Sequence, residues 1–196
     1  MLKPSAQDGS VADPTREIRM GTGGRPDLYV LSLDDSPMSS RRQAREQVMR
    51  ALYARELAGG QPEHFVHTIL RSKLEDDASN LEFAEELFRE TTRRSDELDE
   101  LVTDHVKNWD LDRIAPIDRV LLRMATCELL TFETIPPKVT IDEAIEIAKK
   151  YSTDNSGTFI NGVLDAVLMD LHQQGRLEKS GRGLVGMESI RERHNS

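Results

Sequence analysis

The chain has 196 residues, and its 35 acidic side chains outnumber the 26 basic ones, which gives a net charge of −9. No apolar stretch reaches the roughly 20 residues that cross a bilayer, and the N-terminus lacks the apolar segment of a secretory signal. A single cysteine, Cys127, excludes an intrachain disulfide. We therefore predict a cytoplasmic protein of one domain, without a membrane partner.

The two ends of the chain lack sustained helical or strand periodicity. Residues 1–38 contain several glycines and prolines, and we predict a disordered N-terminal extension there. Residues 174–196 begin beside a helix-stopping glycine, Gly175, and we predict a flexible C-terminal tail. The intervening residues 39–173 are expected to form one helical domain.

Hydrophobic residues recur at helical spacing throughout this domain. The first helix follows a possible cap at Ser39 or Ser40, and Gly-Gly-Gln-Pro ends it. The predicted helices begin near residues 40, 62, 81, 116, 140 and 154, and the third has a possible break near Ser95. These elements predict an all-α bundle of about six to seven helices.

The helix that begins near residue 140 carries a capping-box pattern. Two prolines, Pro136 and Pro137, interrupt the chain just before it. Thr140 and Glu143 have the spacing at which each side chain bonds to the other residue's backbone N–H group. We therefore predict that Thr140 caps this helix.

The first helix is basic in an otherwise acidic chain. Residues 39–58 hold five arginines and two acids, whereas residues 59–112 hold six basic and fifteen acidic side chains. Arg41, Arg42 and Arg45 fall in the first two turns, where the helix dipole disfavours cations. A bound polyanion such as RNA would offset that cost, and a solvated charged face is the alternative.

One stripe of this helix has the residue types of an RNA contact. Arg42, Arg45, Met49 and Tyr53 recur every three or four residues and so share a face. Arginine matches the geometry of phosphates, and a tyrosine ring stacks on an unpaired base. In the alternative interpretation, Met49 and Tyr53 only widen the core face.

A second candidate anion site lies at the start of the last helix. Residues 154–158, Asp-Asn-Ser-Gly-Thr, are mostly small and polar, and free N–H groups at a helix start suit an anion. Lys149 and Lys150 add positive charge just before this segment.

No enzyme signature emerges. The chain has no Gly-rich phosphate loop, Walker pattern or Gly-x-Ser-x-Gly elbow. His64 and His67 have no third ligand at a suitable spacing, so we predict no metal site and no cofactor. Cys127, among apolar neighbours, is expected to be a buried thiol rather than a nucleophile.

Five blocks of sequence carry a family resemblance. They are Arg-Arg-Gln-Ala-Arg-Glu at 41–46 with Ala-Leu-Tyr at 51–53, Asp-Arg-Val-Leu-Leu-Arg at 118–123, Glu-Leu at 128–129, Pro-Lys-Val-Thr-Ile-Asp-Glu-Ala-Ile-Glu-Ile-Ala-Lys at 137–149, and Phe-Ile-Asn-Gly-Val-Leu-Asp at 159–165. In this order and spacing, they resemble the NusB family of bacterial transcription antitermination factors over residues 39–173.

The resemblance implies a helical fold of two packed lobes and a role in antitermination complexes on ribosomal RNA operons. Family members bind the single-stranded boxA element of RNA together with the ribosomal protein NusE, and they load onto RNA polymerase. The RNA-binding residues expected in this chain are Arg41, Arg42, Arg45, Tyr53, Lys149, Asn155, Ser156 and Phe159.

Two other functions are alternatives. NusB-like helical domains also precede the catalytic part of rRNA cytosine methyltransferases, but we find no methyl-donor-binding α/β domain in this sequence. The second alternative is a structural homo-oligomer, such as a homodimer that hides the RNA face. We expect a non-catalytic RNA-binding protein.

Overall fold

The computed structural model describes residues 41–106 and 114–188, and every regular element within them is helical. The elements are α1 (Arg41–Ala58), α2 (Pro62–Phe65), α3 (Ser72–Leu74), α4 (Ala78–Arg93), α5 (Ser95–Thr103), α6 (Pro116–Thr131), α7 (Pro137–Tyr151) and α8 (Ser156–Gln173), with a π-helix (Val66–Arg71) joining α2 to α3 and a 3₁₀ helix (Gly181–Leu184) after α8. The all-α prediction is confirmed. In the described ranges, no helix combines the length and apolar character that a membrane span requires.

The predicted N-terminal extension, residues 1–38, and the predicted caps Ser39 and Ser40 lie outside the described residues.

Local chemistry explains where the helices begin and end. Pro62, Pro116 and Pro137 each stand in the first turn of a helix, where the missing N–H group costs nothing. Gly59 ends α1 with a positive φ of 65°. The predicted break near Ser95 occurs at Arg94, whose φ of −102° and ψ of 16° separate α4 from α5.

The capping-box prediction is wrong. Because Pro137 already begins α7, Thr140 lies inside the first turn rather than at the cap. The Thr140 hydroxyl donates to Glu128 of α6 at 2.7 Å, and Glu143 accepts two hydrogen bonds from Arg42 of α1. Both side chains therefore connect helices instead of capping one.

The core is built around α6, which packs against α1, α4, α5, α7 and α8. The largest fully buried side chains are Met49, Leu70, Leu87, Phe88, Leu98, Leu121, Leu122, Met124, Leu129, Ile147, Ile160 and Leu164. Cys127 is also buried, as predicted, and this burial raises the pKa of its thiol.

The segment after α8, residues 174–188, lies against the turn between α6 and α7. The backbone N–H of Ser180 donates to the Glu133 carbonyl at 3.1 Å. The Lys179 ammonium donates to the Phe132 carbonyl at 2.9 Å. We name this segment the C-terminal arm.

The arm is packed tightly at Gly183. A Cβ atom on Gly183 would lie 1.8 Å from the Glu133 carbonyl oxygen, and Met187 is buried nearby in sequence. Where the sequence predicted a flexible tail, the described part of the arm has fixed partners. Most of these partners are backbone carbonyls, which leave no pattern in the sequence.

Candidate nucleic-acid interface

The arginines at the start of α1 do not form one exposed cluster. Arg41 turns towards α4, where its guanidinium lies 4.6 Å from the centre of the Phe83 ring and donates to the Ser79 carbonyl at 2.9 Å. Arg42 turns towards α7, and Arg45 points into the interior. Each arginine is therefore held by a different helix.

Arg45 is an interior residue. Its guanidinium donates to both carboxylate oxygens of Glu128 on α6, each at 2.8 Å. The two side chains are 4% and 1% exposed, and Thr140 donates to the same carboxylate. The predicted contact between Arg45 and RNA is therefore not accessible in this structure. Helical spacing places Arg45 beside Arg42 on α1, but it does not show which of these two side chains packs against α6.

Arg42 is the arginine of this group that combines exposure with a position beside α7. Its side chain is 47% exposed, and Nε and Nη2 donate to the two oxygens of Glu143 at 2.8 and 2.9 Å. The hydrogen bonds to Glu143 raise the pKa of the Arg42 guanidinium. Arg42 is therefore a permanent cation whose bidentate edge holds a carboxylate.

A second set of contacts joins α1 to α7 one to two turns further along. The Tyr151 hydroxyl donates to Glu46 at 2.6 Å and accepts a hydrogen bond from Arg50 at 3.0 Å. Lys150 lies 3.1 Å from the same Glu46 carboxylate. Hydrogen bonding to Tyr151 and Glu46 raises the pKa of Lys150. Nothing in the sequence marks Arg50 and Tyr151 as site residues, because they pair across two helices about 100 residues apart.

These contacts define one surface. Contacts progress in the same direction along α1 and α7, and Arg50 already meets Tyr151 at the end of α7, so Tyr53, one turn after Arg50, is placed at that end of α7. Tyr53 is half-buried against the core, whereas Met49 is fully buried and belongs to the core alone. We name the residues Arg42, Glu46, Arg50, Tyr53, Glu143, Glu146, Lys149, Lys150 and Tyr151 the α1–α7 surface.

The remaining predicted residues divide between surface and interior. Lys149 is 60% exposed and pairs with Glu146 at 2.7 Å. Asn155 is exposed just before α8, and Phe159 is half-buried one turn into it. Ser156 is buried and donates to Asp118 of α6 at 2.7 Å. Ser156 therefore anchors α8 instead of facing a ligand.

The described part of the chain contains no group of three or more His, Cys, Asp or Glu side chains arranged to hold a metal ion. The candidate interface consists of cations, carboxylates and aromatic rings.

Comparison with known proteins identifies the same family within residues 39–173. The model of the NusB family matches residues 42–169. The transcription antitermination protein NusB of Salinibacter ruber is 60% identical over 159 residues, which cover 81% of this chain and 99% of that relative.

Two solved structures show the likeness of fold. T. maritima NusB has a TM-score of 0.62 and 39% identity, and the match covers 66% of this chain and 91% of that one. A crystal structure of the antitermination factors NusB and NusE in complex with dsRNA has a TM-score of 0.61 and 26% identity, with 66% and 96% covered. The C-terminal arm lies beyond the residues that the family model matches.

Proposed function

The chain belongs to the NusB family, and we propose that it is a non-catalytic antitermination factor that binds boxA-type RNA of ribosomal RNA operons together with NusE. It acts within the antitermination complex on RNA polymerase, in the cytoplasm. The observation that carries this proposal is the α1–α7 surface. There, Arg42, Arg50, Lys149 and Lys150 gather on two helices of a chain whose net charge is −9.

The surface suits a single strand of RNA. Its cations contact phosphates, which fix the position of the strand without reading its sequence. Tyr53 and Phe159 are partly exposed aromatic residues, the type on which unpaired bases stack. Asn155, exposed before α8, supplies amide groups for base edges. Arg41 turns towards α4, outside this surface, and adds positive charge at the start of α1.

Two of the expected RNA contacts act indirectly. Arg45 fixes the start of α1 on α6 through Glu128, and Ser156 fixes the start of α8 on α6 through Asp118. Because α1 carries Arg42 and the half-buried Tyr53, and α8 carries the half-buried Phe159, the two buried contacts set the spacing between these residues.

The acidic side of the molecule suits a basic partner such as a ribosomal protein. Exposed carboxylates on and just after α4 and α5 include Glu82, Glu86, Asp96, Glu100 and Asp104. Complementary charge of this kind raises the rate of association with a basic partner and disfavours the binding of acidic proteins. NusE therefore docks on these carboxylates rather than on the cations of the α1–α7 surface, and the bound pair contacts RNA jointly.

Fluorescence anisotropy with a labelled boxA-type RNA tests this function. The protein alone should bind the single strand weakly, and addition of NusE should tighten binding. Since the solved complex of NusB and NusE contains dsRNA, the duplex of the same sequence is the matched comparison. Absence of binding to either RNA, with and without NusE, would contradict the proposal.

A further inference from the structure

Three exposed cations of the α1–α7 surface each hold a carboxylate of that same surface. Arg42 holds Glu143 at 2.8 Å, and Lys149 holds Glu146 at 2.7 Å. Lys150 holds Glu46 at 3.1 Å. The surface is therefore cationic in composition, but its charges are already paired in the absence of RNA.

The pair between Arg42 and Glu143 has the geometry of a phosphate contact. Both nitrogens on one edge of the guanidinium donate to the two oxygens of one carboxylate. Arginine uses the same two-pronged edge to hold two oxygens of a phosphate. A phosphate therefore cannot add to this edge while Glu143 occupies it.

Glu143 is also held in place. Its side chain is 18% exposed, whereas the Arg42 side chain is 47% exposed. Glu143 lies on α7 one turn before Glu146, so an approaching phosphate meets two carboxylates beside the cation. Glu143 must therefore leave the guanidinium before a phosphate can take its place.

We propose that Glu143 stands in for an RNA phosphate on Arg42, so that RNA binds by exchanging a phosphate for this carboxylate. The inference rests on the proposed function of the α1–α7 surface. In this role, Glu143 lowers the affinity for RNA, because an RNA phosphate must displace it from Arg42.

The exchange has a consequence for selectivity. When a single phosphate ion displaces Glu143, Arg42 gains one contact and loses an equivalent one. An RNA strand engages several cations at once, and the released counterions favour its binding. The surface therefore discriminates against mononucleotides and inorganic phosphate in favour of a strand.

The first test is RNA affinity of the full-length Glu143→Gln variant, measured by anisotropy with a boxA-type single strand. We expect binding about two- to fivefold tighter than wild type, the range that a partly exposed ion pair supports. Asp142→Asn is the matched control, because Asp142 is 56% exposed on the same helix and faces Lys138 at 3.7 Å instead of Arg42. Equal tightening in both variants would overturn the exchange.

A double-mutant cycle isolates the contact itself. Arg42→Ala should cost more affinity in the Glu143→Gln background than in wild type, because Glu143 no longer offsets the contact between Arg42 and phosphate. If Glu143→Gln tightens binding equally with Arg42 absent, the exchange is overturned. If wild type binds RNA and the Glu143→Gln variant binds it with the same affinity, only this inference is overturned. If wild type binds no RNA, the proposed function itself is contradicted.

Discussion

The buried ion pair between Arg45 and Glu128 fastens the basic helix α1 to the central helix α6. Both N···O distances are 2.8 Å, and each side chain is at most 4% exposed. A buried charge that loses its partner retains the full cost of desolvation. The pair is therefore a structural contact on which the position of α1 depends.

Removal of one member of this pair should destabilise the fold. We expect Arg45→Ala to lower the free energy of unfolding by about 3–5 kcal/mol, because Glu128 is left charged and buried. Urea denaturation measures this change. Arg93→Ala is the control, since Arg93 is 66% exposed in its pair with Glu90 and should cost about 1 kcal/mol or less. Equal losses in the two variants would show that Arg45 is not a buried partner.

The contrast between Arg45 and Arg42 shows what the sequence could predict. The all-α class and most helix starts follow from local signals, such as hydrophobic period and the prolines Pro62 and Pro116. The partner of Arg45 lies 83 residues away in the sequence, and the spacing of hydrophobic residues does not predict this pairing. The sequence therefore predicted the helix that carries the candidate site but not which of its arginines is buried.

The C-terminal arm should depend on the absence of a side chain at Gly183. Gly183→Ala places a Cβ atom against the Glu133 carbonyl, so the arm must shift, and we expect a loss of about 1–3 kcal/mol in unfolding free energy. Gly162→Ala is the opposite control. Nothing lies within 4 Å of a Cβ at Gly162 inside α8, so this substitution should stabilise by about 0.5–1 kcal/mol. Thermal and urea unfolding of both variants would test the contrast, and a neutral Gly183→Ala would contradict it.

Lys179 should make stability rise at alkaline pH. Burial lowers its pKa to about 8, from an ordinary value of 10.5. Between these two values the unfolded chain binds more protons than the folded one, so unfolding free energy increases as pH rises from about 8 to about 10.5. The cost of burying the ammonium is present in full below this window.

The measurement is the difference in unfolding free energy between wild type and Lys179→Met at pH 7, 8, 9 and 10. Methionine retains much of the length of the side chain without its charge. We expect wild type to gain relative to the variant as pH rises. A difference that is constant, or that moves the other way, would show that Lys179 is not desolvated.

Tyr53 should contribute to RNA affinity through its ring. Tyr53→Ala is expected to weaken binding of a boxA-type strand by about 1–3 kcal/mol, the value of one stacked base, whereas Tyr53→Phe keeps the ring and most of the affinity. Anisotropy measures both, with unfolding curves to show that each variant is folded. Equal losses in Tyr53→Phe and Tyr53→Ala would assign the effect to the hydroxyl group instead of stacking.

We propose that RNA phosphates contact the α1–α7 surface at Arg42. The most direct measurement is the affinity of Arg42→Ala for a boxA-type single strand at several salt concentrations, with Arg93→Ala on α4 as the control of equal charge change. We expect Arg42→Ala to bind more weakly and to reduce the slope of log K against log salt by about 0.7, the value of one phosphate contact on a single strand. Arg93→Ala should leave both quantities close to wild type. An affinity and a salt slope unchanged in Arg42→Ala, or changed equally in Arg93→Ala, would contradict the claim.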